Sequence, residues 1–135
     1  MADREQIVET LNLWAWGYDE NKTDVIANCF TADATMTLRI EDGDLIGPFE
    51  GRDAILGLMT GSLEQQTDQR RHITTNIIFE EQSDDSAKVI SYLTLTAAEN
   101  GEVKLLSTGV YTDAFVLDEG KWRIKGRFLQ LDAPY

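Results

Sequence analysis

The sequence predicts an α+β fold in which three helices, all in the first half of the chain, pack against a curved antiparallel sheet. Apolar residues recur at three- and four-residue spacing in three segments before residue 67. Longer segments with strand patterning follow, and short turns rich in Asp, Ser, Asn and Gly separate them. Helices followed by a meander of strands are typical of this class. We expect residues 1–135 to form a single domain, because this length suits one hydrophobic core.

Three segments have the apolar spacing of amphipathic helices, and the sequence places them at residues 3–19, about 23–31 and about 52–66. Asp3 precedes the first apolar residues of its segment and is expected to cap the first helix. Thr23 holds the equivalent place in the second segment and is expected to cap that helix.

The strands are expected at residues 35–40 and 45–46 and at about 70–81, 87–99, 103–117 and 121–132. Two of them, 70–81 and 103–117, carry apolar residues on both faces. A sheet with one face in water should alternate more cleanly between apolar and polar residues. We therefore expect a second copy of the chain to cover the outer face, which predicts a homo-oligomer.

Charge and composition exclude several classes of partner. The chain has 24 acidic and 12 basic residues and a formal net charge of -12. Such a surface repels phosphate backbones and anionic lipids, so nucleic acid and membranes are not expected partners. The segment from Met1 to Glu5 lacks the basic-then-apolar order of a signal peptide, and the single cysteine, Cys29, cannot form an intrachain disulfide. These features predict a cytoplasmic protein.

Cofactor chemistry is not expected either. One histidine and one cysteine are too few for a zinc or iron site built on those ligands within one chain. No acidic loop has the spacing of a calcium site, and no glycine-rich loop could cradle a phosphate. We predict no metal and no cofactor.

Two polar residues stand out against their local pattern. Asp19 continues the buried stripe of the first helix at a four-residue step and lies near its C-terminal end, where the helix dipole disfavours a negative charge. His72 shares a strand face with Thr74 and Asn76 in an otherwise apolar sheet. Taken singly, Asp19 also suits a solvated turn, and His72 also suits a structural histidine beside Arg71.

Four stretches, in this order and at this spacing, resemble the SnoaL-like branch of the nuclear-transport-factor-two-like superfamily. This branch includes scytalone dehydratase, bile-acid dehydratases and a hexachlorocyclohexane dehydrochlorinase. The resemblance spans about residues 4–132. The matching stretches are Tyr18-Asp19 with Asp24 and residues 29–34, Arg71 to Glu80, Gly109 to Phe115, and Gly120 to Ile124.

The resemblance implies a cone formed by a strongly curved sheet and three helices, with a deep internal pocket. Several dehydrating relatives use a His–Asp dyad there, and the matching positions are Asp19 and His72. The face with His72, Thr74 and Asn76 would then look into the pocket. The other face, with Ile73, Ile77 and Phe79, would be covered by a neighbouring subunit in a dimer or trimer.

A histidine oriented by a carboxylate is a competent general base. We therefore predict a lyase of the dehydratase type that removes a proton from a small cyclic or aromatic substrate, with β-elimination following. An isomerase, an aldol-type cyclase and a non-catalytic small subunit of a ring-hydroxylating dioxygenase remain the alternatives. Six further residues are candidates for binding the substrate and its developing oxyanion: Trp14, Tyr18, Asn76, Tyr92, Tyr111 and Arg127.

Overall fold

Local sequence signals place the helices and strands close to the predicted segments. The computed structural model describes residues 1–135. Its elements are α1 (Arg4–Asp19), α2 (Thr23–Asn28), β1 (Phe30–Ile40), β2 (Ile46–Glu50), α3 (Arg52–Gln65), β3 (Gln69–Gln82), β4 (Ser86–Glu99), β5 (Glu102–Asp118) and β6 (Lys121–Leu131). Asp3 caps α1 as predicted, because its carboxylate accepts the backbone N–H of Gln6 at 3.2 Å.

The six strands form one curved, unclosed sheet in the order β2-β1-β6-β5-β4-β3. The pairs formed by β3, β4, β5 and β6 are antiparallel, as is the β1–β2 hairpin. The first and last strands, β1 and β6, pair in parallel, so the antiparallel prediction holds for every pair except this one. The three helices pack on the concave face, which confirms the predicted cone-like α+β fold.

The start of β1 differs from the sequence prediction. The second helix ends at Asn28 rather than residue 31, and β1 begins at Phe30 rather than residue 35. The parallel partner strand explains the difference, since the backbone N–H of Ile124 donates to the carbonyl of Cys29 at 2.8 Å. The Thr23 cap is also wrong, because Thr23 is the first helical residue and Lys22 precedes it without a side-chain cap.

The core lies between the helices and the inner face of the sheet, and α1 is its main helical contributor. Ile7, Leu11 and Trp14 are fully or almost fully buried along one face of α1. Gly17 on the same helix lets α2 approach closely, because an added Cβ would lie only 3.1 Å from a Val25 methyl carbon. None of the helices is long and apolar enough to cross a lipid bilayer.

A bulge in β3 decides which of its side chains face the core. Thr75 pairs with Tyr92 and Ile78 pairs with Ile90, so two residues of β3 lie opposite one residue of β4. Asn76 occupies the bulge with φ 56°, a left-handed conformation that asparagine adopts more readily than most residues. An extra residue reverses the alternation of the strand beyond it.

Because of the bulge, the predicted inner and outer faces of β3 are wrong beyond Thr75. Before it, His72 and Thr74 face inward and Ile73 is exposed, as predicted. Beyond it, Ile77 and Phe79 pack against the core rather than lying on the outer face. Asn76 itself is exposed, so the prediction that it looks into the pocket is wrong.

Candidate active site

The C-terminal end of α1 and the start of β3 bring Asp19 and His72 together. One carboxylate oxygen of Asp19 lies 2.5 Å from Nδ1 of His72, and the other accepts the backbone N–H of His72 at 2.9 Å. The His72 side chain is 6% exposed and that of Asp19 is 7% exposed. Both carboxylate oxygens are therefore engaged by the same residue in a place that little water reaches.

The Asp19 contact fixes the protonation pattern of the neutral imidazole. An ionised carboxylate only accepts hydrogen bonds, so Nδ1 of His72 must carry the proton that points to Asp19. The second ring nitrogen, Nε2, is then the basic lone pair, and no side chain of the protein hydrogen-bonds to it. This is the arrangement that lets a histidine act as a general base.

His72 lies on the wall of an apolar cavity of about 100 Å³ between the helices and the sheet. Ten of the twelve lining residues are hydrophobic. The cavity is lined by Trp14, Tyr18, Met36, Leu38, Leu58, Met59, Ser62, His72, Leu93, Tyr111, Leu129 and Tyr135. Few polar atoms compete for a molecule bound there, so any polar contact inside the cavity would be strong.

Two aromatic side chains of α1 hold the imidazole in place. The Tyr18 ring stacks on His72 with the centroids 4.7 Å apart, and Trp14 contacts it edge-on at 5.6 Å. Burial raises the pKa of the Tyr18 hydroxyl, although the nearby Ser62 hydroxyl lowers it in part. Tyr18 is thus a neutral hydrogen-bond donor at physiological pH.

A buried ion pair lies deeper on the same face of the sheet. Asp113 of β5 and Arg127 of β6 are cross-strand partners, and Nε of Arg127 donates to Asp113 at 2.8 Å. Both side chains are fully buried. The Arg127 guanidinium also lies 3.7 Å from the ring centroid of Tyr111 and 4.2 Å from that of Trp14. Arg127 is therefore held by one carboxylate and two aromatic faces.

Three buried donors around this pair have no hydrogen-bond partner within the protein: Nε1 of Trp14, the hydroxyl of Tyr111 and Nη1 of Arg127. Burial raises the pKa of the Tyr111 hydroxyl far above its usual value, which keeps it protonated. Buried donors are normally satisfied, so donors beside a cavity are available to a molecule that enters it.

The structure brings four of the six predicted binding residues to the site. Trp14, Tyr18 and Tyr111 line the cavity with His72, and Arg127 lies behind Trp14 and Tyr111. The other two predicted residues, Asn76 and Tyr92, do not line the cavity, because the sheet turns them away from it.

Asn76 is displaced by the bulge and points away from the cavity. Tyr92 lies between the buried residues Ser91 and Leu93 on β4, so strand alternation turns its ring to the outer face, where it is 49% exposed.

Two features of the site were not found from the sequence. Asp113 was overlooked, although it shares a strand face with Tyr111 and Phe115, and an acid on an apolar face indicates a buried partner. Tyr135 also lines the cavity, and no local pattern pointed to it. Cys29, which follows α2, is buried, and burial raises the pKa of its thiol to about 11.

No group of three or more acidic, histidine or cysteine side chains is placed to hold a metal ion.

The sequence profile of the SnoaL-like domain matches residues 1–127, and the chain belongs to this family. The family includes enzymes and non-catalytic members on a fold that binds small molecules. No curated protein matches the chain.

Solved structures share the fold over almost the whole chain. A Mycobacterium tuberculosis protein of unknown function is 27% identical with a TM-score of 0.80, covering 94% of this chain and 70% of that one. The beta subunit of a putative aromatic-ring-hydroxylating dioxygenase from Novosphingobium aromaticivorans is 15% identical with a TM-score of 0.83, covering 98% and 90%. A Catenulispora acidiphila protein in complex with S-DNPA is 20% identical with a TM-score of 0.80, covering 94% and 91%.

Proposed function

We propose that this protein is a cofactor-independent lyase of the dehydratase type, with His72 as general base and Asp19 as its orienting partner. The observation that carries the proposal is the 2.5 Å contact between Nδ1 of His72 and Asp19 on the wall of an apolar cavity. The contact leaves Nε2 as a lone pair available to a bound molecule. The apolar lining of the cavity favours a small, uncharged ring compound as substrate.

In the proposed reaction, Nε2 of His72 takes a proton from a substrate carbon next to an electron-withdrawing group. The electrons of the broken C–H bond form the new C=C bond, and the leaving group departs from the adjacent carbon with its bonding pair. For a hydroxyl leaving group, the proton on Nε2 passes to the departing oxygen, which gives water and restores the neutral imidazole. Asp19 stabilises the imidazolium between these two transfers.

An elimination also requires that the developing negative charge on the substrate is stabilised, and the unpartnered donors can do this. Removing a proton beside a carbonyl group places negative charge on its oxygen, and preorganised donors stabilise that charge. Tyr111 and Trp14 line the cavity and have donors free to meet such an oxygen. Arg127 adds positive charge from behind their rings, and the Tyr18 ring stacks on the imidazole. A general base contributes roughly 10²–10⁴-fold to the rate, so these donors have to supply much of the rest.

The test uses 3-hydroxycyclohexanone, a six-membered ring that can lose water to give cyclohex-2-enone. The enone is measured by its ultraviolet absorbance, and the product mass is checked by mass spectrometry. We expect His72→Ala and Asp19→Asn each to lower turnover by at least about tenfold while the fold survives. Tyr92→Phe is the control, because its ring lies on the outer face.

Turnover at the wild-type rate in either dyad variant would exclude this mechanism. An isomerase would instead exchange or move a proton without loss of mass. Reaction in D₂O distinguishes the two, because an isomerase gives a deuterated product that retains the hydroxyl group. A cyclase of the aldol type would form a carbon–carbon bond and would likewise lose no leaving group from this probe.

We also propose that the protein assembles as a homo-oligomer, a dimer or a trimer, through the outer face of the sheet. Large apolar side chains on β3, β4 and β5 are exposed there: Ile73, Ile78, Tyr92, Val103 and Leu105. Such a patch supports an interface. A non-catalytic small subunit of a ring-hydroxylating dioxygenase would use the same face for a different chain. Stoichiometry separates the two readings, since co-purification with a larger iron–sulfur chain would favour the subunit.

A further inference from the structure

The residues after β6 continue alongside β5 and are anchored as far as Ala133. The backbone N–H of Asp132 donates to the carbonyl of Thr108 at 2.9 Å, and the Thr108 hydroxyl donates to the Asp132 carboxylate at 2.7 Å. The Ser107 hydroxyl donates to the carbonyl of Ala133 at 2.6 Å. Beyond Ala133, no backbone hydrogen bond holds the chain.

This anchored segment places Tyr135 over the cavity. The ring lines the cavity together with Tyr18 and His72, yet the residue is 56% exposed, so it forms part of the boundary between the cavity and water. Burial raises the pKa of the Tyr135 hydroxyl, opposed by the nearby Arg70. The ring is therefore uncharged at neutral pH and suits an apolar opening.

Arg70 holds the ring from the outer side. Its guanidinium lies 5.2 Å from the centroid of the Tyr135 ring, a cation–π distance. Asp68 fixes this guanidinium with a 3.1 Å contact to Nε. Arg70 and His72 are two residues apart on β3, so this contact lies directly beside the proposed base.

The volume of the cavity indicates that Tyr135 affects which molecules can bind beside His72. An apolar cavity of about 150 Å³ accommodates a benzene ring. The cavity beside His72 measures about 100 Å³ with Tyr135 in place, which is too little for a six-membered ring carrying substituents. The wall has to move before such a molecule reaches Nε2. Tyr135 is the only exposed residue of the lining, and it follows the last backbone hydrogen bond of the chain.

We propose that Tyr135 is a gate that closes the cavity over His72, and that Arg70 holds the gate shut. The ring swings out on residues 134–135 while the hydrogen bonds of Asp132 and Ala133 stay in place. Tyr135 thereby determines which sizes of molecule enter. The gate does not require catalysis, but its effect on substrate choice rests on the proposed function.

The test uses the fact that His72 is the only histidine of the chain. Diethyl pyrocarbonate reacts with a free imidazole nitrogen, and the product absorbs at about 240 nm, so the rate of the absorbance change reports access to Nε2 of His72 alone. We expect Tyr135→Ala to react about tenfold faster than the wild type, because the ring and its contact with Arg70 are both lost. Arg70→Gln should accelerate the reaction by about two- to fivefold, since only the cation–π contact is lost.

Two variants serve as controls. Tyr135→Phe keeps the ring and should react at the wild-type rate, which separates gating from any effect of the hydroxyl. Trp16→Ala removes an exposed aromatic ring of α1 that does not line the cavity and should also leave the rate unchanged. Circular dichroism and the melting temperature establish that each variant is folded.

A folded Tyr135→Ala protein that reacts at the wild-type rate overturns the gate. A wild-type protein in which His72 reacts as fast as N-acetylhistidine overturns it too, because the cavity would then stand open. Neither result bears on catalysis, which the turnover of His72→Ala measures separately. Conversely, slow reaction in the wild type with fast reaction in Tyr135→Ala supports the gate even if 3-hydroxycyclohexanone is not converted.

Discussion

The concave face of the sheet carries two acid–base pairs that differ in what they leave unsatisfied. In the pair of His72 and Asp19, the carboxylate is fully engaged and a basic nitrogen remains on the cavity wall. In the pair of Arg127 and Asp113, the base is a guanidinium that stays protonated in proteins and can only donate hydrogen bonds. The first pair can take up a proton from a bound molecule. The second can supply only positive charge and hydrogen bonds.

Burial also has a different role in each of the two pairs. Arg127 lies against Trp14 and Tyr111 and is fully buried with its partner, so its contribution depends on an intact ion pair. His72 stacks on Tyr18 at the edge of a cavity that ends at the partly exposed Tyr135. Proton transfer needs such an edge, because the reacting molecule has to enter. The deeper pair needs none.

The largest effect on stability is expected from breaking the deeper pair. Arg127→Met leaves the Asp113 carboxylate buried without a counter-charge, and loss of one partner of a buried pair costs about 3–5 kcal/mol of unfolding free energy. Urea denaturation measures the change. Lys125→Met is the matched control on the same strand, because its solvent-exposed ion pair with Asp33 should contribute little to the unfolding free energy. Equal losses in both variants would contradict the contrast between the pairs.

A smaller effect is expected at alkaline pH from Cys29, a buried group that Arg127 reaches electrostatically. Burial raises the pKa of this thiol to about 11 in the folded protein, against 9.0 for an unperturbed thiol. The unfolded state therefore loses its proton first as the pH rises, and the free energy of unfolding falls between about pH 9 and pH 11. The fall attributable to this thiol is roughly 2 kcal/mol.

Urea denaturation at a series of pH values tests this prediction, with Cys29→Ala as the comparison. The variant loses some packing at every pH, but its stability should fall less steeply with pH than that of the wild type. Identical slopes of unfolding free energy against pH in the two proteins would show that burial does not raise the pKa of the thiol. In the same range, iodoacetamide should react with Cys29 only after unfolding.

The smallest effect on stability is expected at Tyr111. Its hydroxyl is buried without a hydrogen-bond partner in the protein, so Tyr111→Phe removes an unsatisfied donor and should change the unfolding free energy by less than about 1 kcal/mol. The proposed elimination should nevertheless slow, because the developing oxyanion loses a donor. Tyr92→Phe should change neither quantity. A large loss of stability in Tyr111→Phe would mean that the hydroxyl is a structural group rather than one available to a ligand.

Periodicity was enough to predict most elements of the fold. The helix at Arg4–Asp19 and the four long strands lie within about one residue of their predicted ends, because their apolar patterns and turn residues agree. The prediction was wrong where a distant strand decided the local structure. Residues 29–31 have the composition to extend a helix, yet pairing with Ile124 makes Phe30 the start of a strand.

The candidate site was predicted in part, and the errors have one physical origin. Asp19 and His72 are polar residues within apolar patterns, and each can be recognised from its own local sequence. Asn76 was misplaced because a bulge, which residue spacing does not show, changes the face of the side chain. Tyr92 was misplaced because alternation along β4 does not say which of its two faces is turned to the core. Asp113 shows that a buried charge goes unnoticed when its partner is fourteen residues away on another strand.

The sequence by itself determined the order and type of the elements, the apolar faces that form the core, and the two residues whose polarity did not suit their surroundings. Only the tertiary structure decided the geometry in which these two residues meet, that Arg127 is paired with Asp113, and that Tyr135 lines the cavity. The reason is that local conformation depends on neighbours three or four residues away. A cavity and its protonation chemistry depend instead on contacts such as that of Asp19 with His72, which join residues 53 positions apart.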